Sequence, residues 1–190
     1  MESCTIRAKI ENQLLSDARA GDLAAFDELV ARHQARVFRL AYRMLMNRED
    51  AADVQQETFI RAWRRLPRFR EDAAFATWLH KIVVNLCVSR KRVRNIEVQV
   101  DGDWDAVPSA SDSAPACVEK AETRTLVRKV IAAMPAHYRV LIVLRDMEER
   151  SFEEIAAILD CSVTSARMRT CKARRIFRER MQPYLAEEDR

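Results

Sequence analysis

Two groups of side chains in this sequence have the types and spacing to act on a macromolecular surface. From Ser162 to about Met181 the small or apolar residues Val163, Ala166, Thr170, Ala173 and Phe177 recur in steps of three and four, the seam of a helix. Arg167, Cys171, Lys172, Arg174, Arg175 and Arg178 fall largely off that seam. Arginines so placed can form bidentate bonds to guanine, other cations can hold phosphates, and a thiol can touch a thymine methyl. The second group is Asp53, Gln56, Glu57 and Ile60, which helical spacing puts on one side of an earlier helix. Acidic and polar groups there can meet basic residues of a partner helix, or can simply pair with Arg61 or Arg64 of their own. A basic run, Arg90, Lys91, Arg92 and Arg94, has the character of a phosphate track and equally of a solvated helix end.

Catalytic chemistry has little to build on. There is no glycine-rich phosphate loop, no metal-ligand cluster and no nucleophile motif, so the sequence implies neither an enzyme nor a cofactor. The five cysteines (Cys4, Cys87, Cys117, Cys161 and Cys171) contain no CxxC pair, and the three histidines show no ligand spacing near them. No metal site is expected, and the cysteines read as reduced thiols. Nowhere do about 18 apolar residues run together, so no membrane insertion is expected. The start, Met1-Glu2-Ser3-Cys4-Thr5, lacks the basic-then-apolar order of a signal peptide, which points to the cytoplasm.

Helices must position these groups. Two glycines and five prolines in 190 residues, with abundant Ala, Leu, Arg and Glu, favour an all-α chain. Apolar positions follow helical spacing from about Ile10, break at Gly21 and resume behind Asp22, a natural N-cap, as far as about Asn47. Asp50 is expected to open a third helix carrying Ala51, Val54, Phe59, Ile60 and Trp63, ended by Leu66-Pro67. Residues 69–74 read as a loop, and a fourth helix runs from about Phe75 to Arg92. Pattern returns at about Val118 and continues to Met134 before Pro135. Further helices are expected at about 136–147, 151–159 and 162–181. Ser151 stands three residues before Glu154, a capping-box spacing, and Ser162 can cap the last helix. A short helix, a tight turn and a longer basic helix make a helix-turn-helix, with an ordinary helical hairpin as the alternative.

The net charge of +4 is unevenly spread. Residues 1–96 hold 18 basic and 12 acidic side chains, residues 97–123 one and seven, and residues 124–181 thirteen and seven. Two basic blocks around an acidic stretch fit two polyanion-facing modules with a connector that avoids the polyanion. With Gly102, Pro108, Pro115 and mixed Ser, Asp and Ala, the connector reads as a flexible linker. The expected architecture is two small helical domains, residues 1–96 and 124–190, joined by a flexible acidic linker at 97–123.

Three stretches carry a family resemblance. Asp53-Val54-Gln55-Gln56-Glu57-Thr58-Phe59-Ile60-Arg61-Ala62-Trp63 closely resembles the helix with which sigma factors grip the RNA polymerase clamp. Phe69 to Asn85, with Phe75-Ala76-Thr77-Trp78-Leu79 at its centre, looks like the promoter-melting, minus-ten-reading region of the extracytoplasmic-function group. Ser151-Phe152-Glu153-Glu154-Ile155-Ala156 is similar to that group's minus-thirty-five-reading domain. With domain order and linker position, the resemblance spans nearly the whole chain.

It implies a sigma factor that carries core polymerase to promoters and catalyses nothing itself. It implies clamp contact through Asp53, Gln56, Glu57 and Ile60, and flap contact by the C-terminal domain. Phe69, Ile82 and Asn85 would form a pocket for a flipped base, with Arg90, Lys91 and Arg92 on nearby phosphates. Arg167, Cys171, Lys172, Arg174 and Arg175 would face the minus-thirty-five duplex. The family also implies an anti-sigma partner and release on a stress signal. Some positions depart from the common pattern: Glu71 stands where many relatives have glycine, Ser89 replaces an aspartate, Thr164-Ser165-Ala166 replaces Gly-Thr-Val, and Met168 replaces a serine. Two rival readings predict different behaviour. A free-standing helix-turn-helix regulator would bind duplex DNA without polymerase, and a protein-interaction module would show no salt-sensitive DNA affinity.

Overall fold

The computed structural model describes residues 2–69, 74–93 and 117–188. The N-terminal set of helices is α1 (Glu2–Arg19), α2 (Leu23–Leu45), α3 (Arg48–Arg65) and α4 (Phe75–Val93). The C-terminal set is α5 (Cys117–Ala133), α6 (Ala136–Ile142), α7 (Phe152–Leu159) and α8 (Val163–Glu188). A 3-10 turn, Leu66–Arg68, follows α3, and a π-helical turn, Val143–Met147, extends α6. The two sets are the two helical domains expected, and the described residues contain no strand.

Local chemistry sets most of the boundaries. Asp22 caps α2, its carboxylate accepting from the backbone N–H of Ala24 at 2.8 Å and of Ala25 at 3.2 Å. Gly21 before it has φ +102°, a conformation that costs a glycine little. Helix α1 starts at Glu2, earlier than the periodicity from Ile10 suggested. The third helix also starts earlier than expected. Asn47 is its cap, accepting from Asp50 N–H at 2.9 Å, so Asp50 lies in the first turn, where the helix dipole favours its charge. Pro67 lacks the N–H to continue α3, and the chain tightens into the 3-10 turn.

In the N-terminal domain α2, α3 and α4 pack on one another around Leu29, Leu40, Val54, Ala62, Leu66, Leu79 and Val83, all fully buried. The C-terminal domain closes over Leu144, Ile155, Ala166 and Ala173. The two domains touch. Helix α7 packs on α4, and α6 with its π turn on α2. The Arg43 guanidinium donates to Met147 O at 2.9 Å and meets the buried Glu148 carboxylate at 2.5 Å, while Lys81 pairs with Asp160 at 3.6 Å. Of the segment read as a linker, residues 97–116 lie outside the described residues, and residues 117–123 are the first turns of α5. Among the described residues no helix is long and apolar enough to cross a membrane.

Candidate functional site

Helices α7 and α8 form the helix-turn-helix. Ser151 and Glu154 make the full capping box: the Ser151 hydroxyl accepts from Glu154 N–H at 3.1 Å, and the Glu154 carboxylate accepts from Ser151 N–H at 2.9 Å. The turn between the helices has no glycine. Asp160 takes its place in the left-handed conformation (φ 55°), closing α7 with its N–H on Ala156 O. Ser162 then caps α8 by accepting from Ser165 N–H at 3.1 Å. Ala166, Thr170 and Ala173 are fully buried, so the expected seam faces the core.

On the opposite side Arg167, Met168, Cys171, Lys172, Arg174 and Arg175 are exposed. Several of these cations are held in place. Arg174 forms a two-pronged pair with Asp146 of the π turn, and that hydrogen bond raises its pKa. Arg167 lies 5.4 Å from the centre of the Phe152 ring, which Arg145 covers at 4.6 Å. Lys172 sits 5.6 Å over Tyr138, and Arg175 reaches Glu179 at 3.7 Å. Beside Arg167, Glu153 is held below the usual carboxylate range by its own backbone N–H and by Ser151. The product is a cationic face with its aim fixed by the domain beneath.

Helix α3 presents Asp53, Gln56, Glu57 and Ile60 along an edge flanked by two grooves. One, of about 820 Å³ between α3 and α4, is lined by all four together with Asp50, Ser89 and Arg90. The other, of about 580 Å³ between α2 and α3, is lined by Leu23, Phe26, Val30, Phe59, Ile60 and Trp63. Gln56 and Ile60 border both grooves. Glu57 pairs with Arg61 at 2.6 Å, one of the partners expected of it. Asp53 pairs with Arg90 at 3.3 Å, and Arg90 also reaches Asp50. The structure thus joins two residues assigned to different surfaces.

The residues expected at the minus-ten element are divided. Phe69, only 4 % exposed, lies in an aromatic cluster 5.8 Å from Phe75 and 4.9 Å from Trp78. Ile82 is buried on α4, and Asn85 is exposed on the same helix. Residues 70–73, Glu71 included, lie outside the described residues. Lys91 and Arg92 are in the last turns of α4. Sequence reasoning missed the α2 side of the first surface: Leu23 is an exposed leucine, and the Phe26 ring lies 5.0 Å from that of Trp63, tilted by 53°. An apolar residue directly behind a helix cap was the available signal. Among the described residues no group of His, Cys, Asp and Glu could hold a metal ion.

The sigma-70 region 2 family profile matches residues 29–95, and the sigma-70 region 4 profile matches residues 124–176. The chain belongs to the sigma-70 family. Among its relatives is the RNA polymerase sigma-H factor of Pseudomonas aeruginosa, 32% identical over 186 residues that cover 93% of this chain and 96% of the relative. Another is the ECF RNA polymerase sigma-E factor of Escherichia coli K12, 36% identical over 182 residues, covering 90% and 94%. These matches put the chain in the extracytoplasmic-function branch of the family. The fold is similar to that of CnrH in its complex with the cytosolic domain of CnrY, with a TM-score of 0.68 and 25% identity over 92% of this chain and 98% of that one. It also matches, as a fold, the sigma factor RpoE of Bartonella quintana solved with the anti-sigma factor NepR, at a TM-score of 0.64 and 20% identity over 83% and 96%. As a sigma factor the protein directs core RNA polymerase to specific promoters and is not itself an enzyme.

Proposed function

We propose that the protein divides promoter recognition between its two domains, residues 1–96 and 124–190, while the acidic stretch 97–123 connects them through the polymerase. Asp53, Gln56, Glu57 and Ile60 dock on the polymerase clamp. Phe69, Ile82 and Asn85 receive a flipped base of the minus-ten element, with Arg90, Lys91 and Arg92 on its phosphates. Arg167, Cys171, Lys172, Arg174 and Arg175 engage the minus-thirty-five duplex, and the same domain meets the polymerase flap. One observation carries this reading. Polar, acidic and apolar groups on α3 share a single edge between two open grooves, a surface suited to a partner helix. Two modest DNA contacts on one scaffold raise each other's effective concentration, so neither needs to be tight alone.

An anti-sigma partner that covers the docking edge until a stress signal releases it completes the reading, and the cytoplasm is where it acts. The likeness to CnrH, solved with the cytosolic domain of CnrY, supports such a partner. The test is promoter-dependent transcription in vitro with core polymerase, comparing the native chain with a Gln56→Ala, Glu57→Ala variant. Both side chains lie on the surface, and the Glu57–Arg61 pair is worth only about 0.5 kcal/mol, so the variant folds. Transcripts that require the protein and weaken in the variant support clamp docking through this edge. Undiminished transcription would remove these two residues from the interface.

A further inference from the structure

Met168 is the most exposed large apolar side chain among the described residues, at 67 %. It stands on the side of α8 opposite the buried Ala166, Thr170 and Ala173, with Thr164 one turn before it and Cys171 and Lys172 one turn after. A thioether so exposed adds nothing to the core. It is free for a ligand to cover, and on this face its neighbours are Arg167, Lys172 and Arg175.

The chemistry of α8 narrows what that ligand is. Asn or Gln reads the N6–H and N7 of adenine, and Asp or Glu accepts from the N4–H of cytosine. From Val163 to Arg178 the helix has none of these four residues. Direct reading by this stretch is left to guanidinium or ammonium on guanine, hydroxyls without strong preference, and apolar contact with the C5-methyl of thymine. Two of the arginines are partly committed, Arg174 to Asp146 and Arg167 to Phe152 and Glu153. Cys171 is a free, exposed thiol that extends the apolar strip from Met168 along the same face. A methionine adapts its shape to a methyl group better than a branched side chain does.

We propose that Met168, with Cys171 beside it, is a specificity residue that selects thymine in the minus-thirty-five element by packing on the C5-methyl in the major groove. The proposal rests on the reading that α8 enters that groove. Deoxyuridine pairs as thymidine does and lacks only the methyl, so it isolates the contact. The loss of one buried methyl corresponds to about a fourfold fall in affinity.

The experiment uses holoenzyme reconstituted from this chain and core polymerase, on templates randomised across the minus-thirty-five duplex. Enriched templates are resynthesised with deoxyuridine at each thymine in turn, and half-saturating concentrations are compared for the native chain and a Met168→Ser variant. The native holoenzyme should lose about fourfold at one or two thymines, and the variant should bind thymine and uracil templates alike. An unchanged melting temperature shows the variant to be folded, as the exposure of Met168 leads one to expect. Enriched thymines whose methyls make no difference, or an undiminished uracil penalty in the variant, would overturn the thymine assignment and leave groove binding standing. Transcription with no sequence enriched in the randomised stretch would overturn the groove reading of α8, and the assignment with it.

Discussion

A guanidinium only 1 % exposed needs a full set of acceptors, and Arg139 finds them at the ends of two helices. Its Nε donates to Ile131 O at 2.9 Å, and its terminal nitrogens donate to Ala132 O, to Met134 O at 3.0 Å and to Met44 O at 2.8 Å. Ile131 and Ala132 are in the last turn of α5 and Met134 directly follows it, in the C-terminal domain, and Met44 belongs to the end of α2 in the N-terminal one. Carbonyls there are left over by the helices themselves and carry the negative pole of the dipole. Burial lowers the pKa of Arg139 only to about 10, so the group stays charged near neutral pH. Changing Arg139 to Met would keep the volume but strand the carbonyls of Ala132, Met134 and Met44, Ile131 O keeping the Met134 N–H at 3.1 Å, so stability should fall by about 3 kcal/mol, read as a lower urea midpoint. Arg139→Lys should recover little of it, because one ammonium cannot reach acceptors in four directions. None of this was legible in the sequence. Arg139 looks like any helix arginine, and its partner Met44 O lies 95 residues away. Asp22 and Ser151 were legible because a cap needs only its own next three residues.

At the scale of elements, the junction of α7 and α8 is where local preference and fold disagree. Asp160 takes a left-handed conformation at the end of α7, the position where helices favour glycine. A non-glycine residue there bears a cost of about 1 kcal/mol, partly relieved for aspartate. Its charged partner among the described residues, Lys81 at 3.6 Å, returns little, since the Asp160 side chain is 87% exposed and such pairs are worth about 0–1 kcal/mol. Asp160→Gly should therefore stabilise the protein by about 0.5 kcal/mol and raise its melting temperature slightly, as calorimetry would record. A lower melting temperature would mean that the Lys81 pair outweighs the backbone strain. The same junction shows what periodicity reads well. The seam of Ala166, Thr170 and Ala173 and both serine caps were visible, because 3.6-residue geometry imposes them. The start of α3 was misplaced because Asn47 and Asp50 are both good caps, and choosing between them takes the backbone conformation at Asn47. A helix over 136–147 was legible, but the π winding of its last turn, which carries Asp146 to Arg174, has no sequence signature.

For the whole molecule, alternating charge suggested two separate basic modules, yet the structure brings them into contact. Repulsion between the modules is offset locally. Glu148, nearly buried, sits between Arg43 and Arg39, and Asp160 faces Lys81. These pairs connect residues far apart in sequence, which is why net charge by segment could not foresee them. On the proposed division of the two promoter elements between the domains, this contact must break on a promoter. Elements at minus ten and minus thirty-five lie about 25 base pairs, or about 85 Å, apart along the duplex, and two domains in direct contact cannot reach both. His80 makes the closed form sensitive to acid. It is 1 % exposed on α4, neither ring nitrogen has a hydrogen-bond partner among the described residues, and the basic groups near it are Arg150 across the domain contact and Arg36, Arg39 and His33 on α2. Desolvation first, and then Arg150, lower its pKa from 6.5 to about 3. Because the folded value is depressed, His80 stays neutral in the native protein and takes up a proton on unfolding once the pH is below about 6.5. Stability is retained above that pH and lost progressively as the pH falls from 6.5 towards 3. His33, lowered by burial against the opposing pull of Glu11, adds to the trend in the same direction. Between pH 7 and pH 5 the His80 contribution amounts to about 2 kcal/mol. Urea unfolding at the two pH values should show a His80→Leu variant losing about 2 kcal/mol less than the native chain, whatever the starting stability of each. Equal losses would mean that His80 gains a compensating partner on protonation and that the acid sensitivity lies elsewhere.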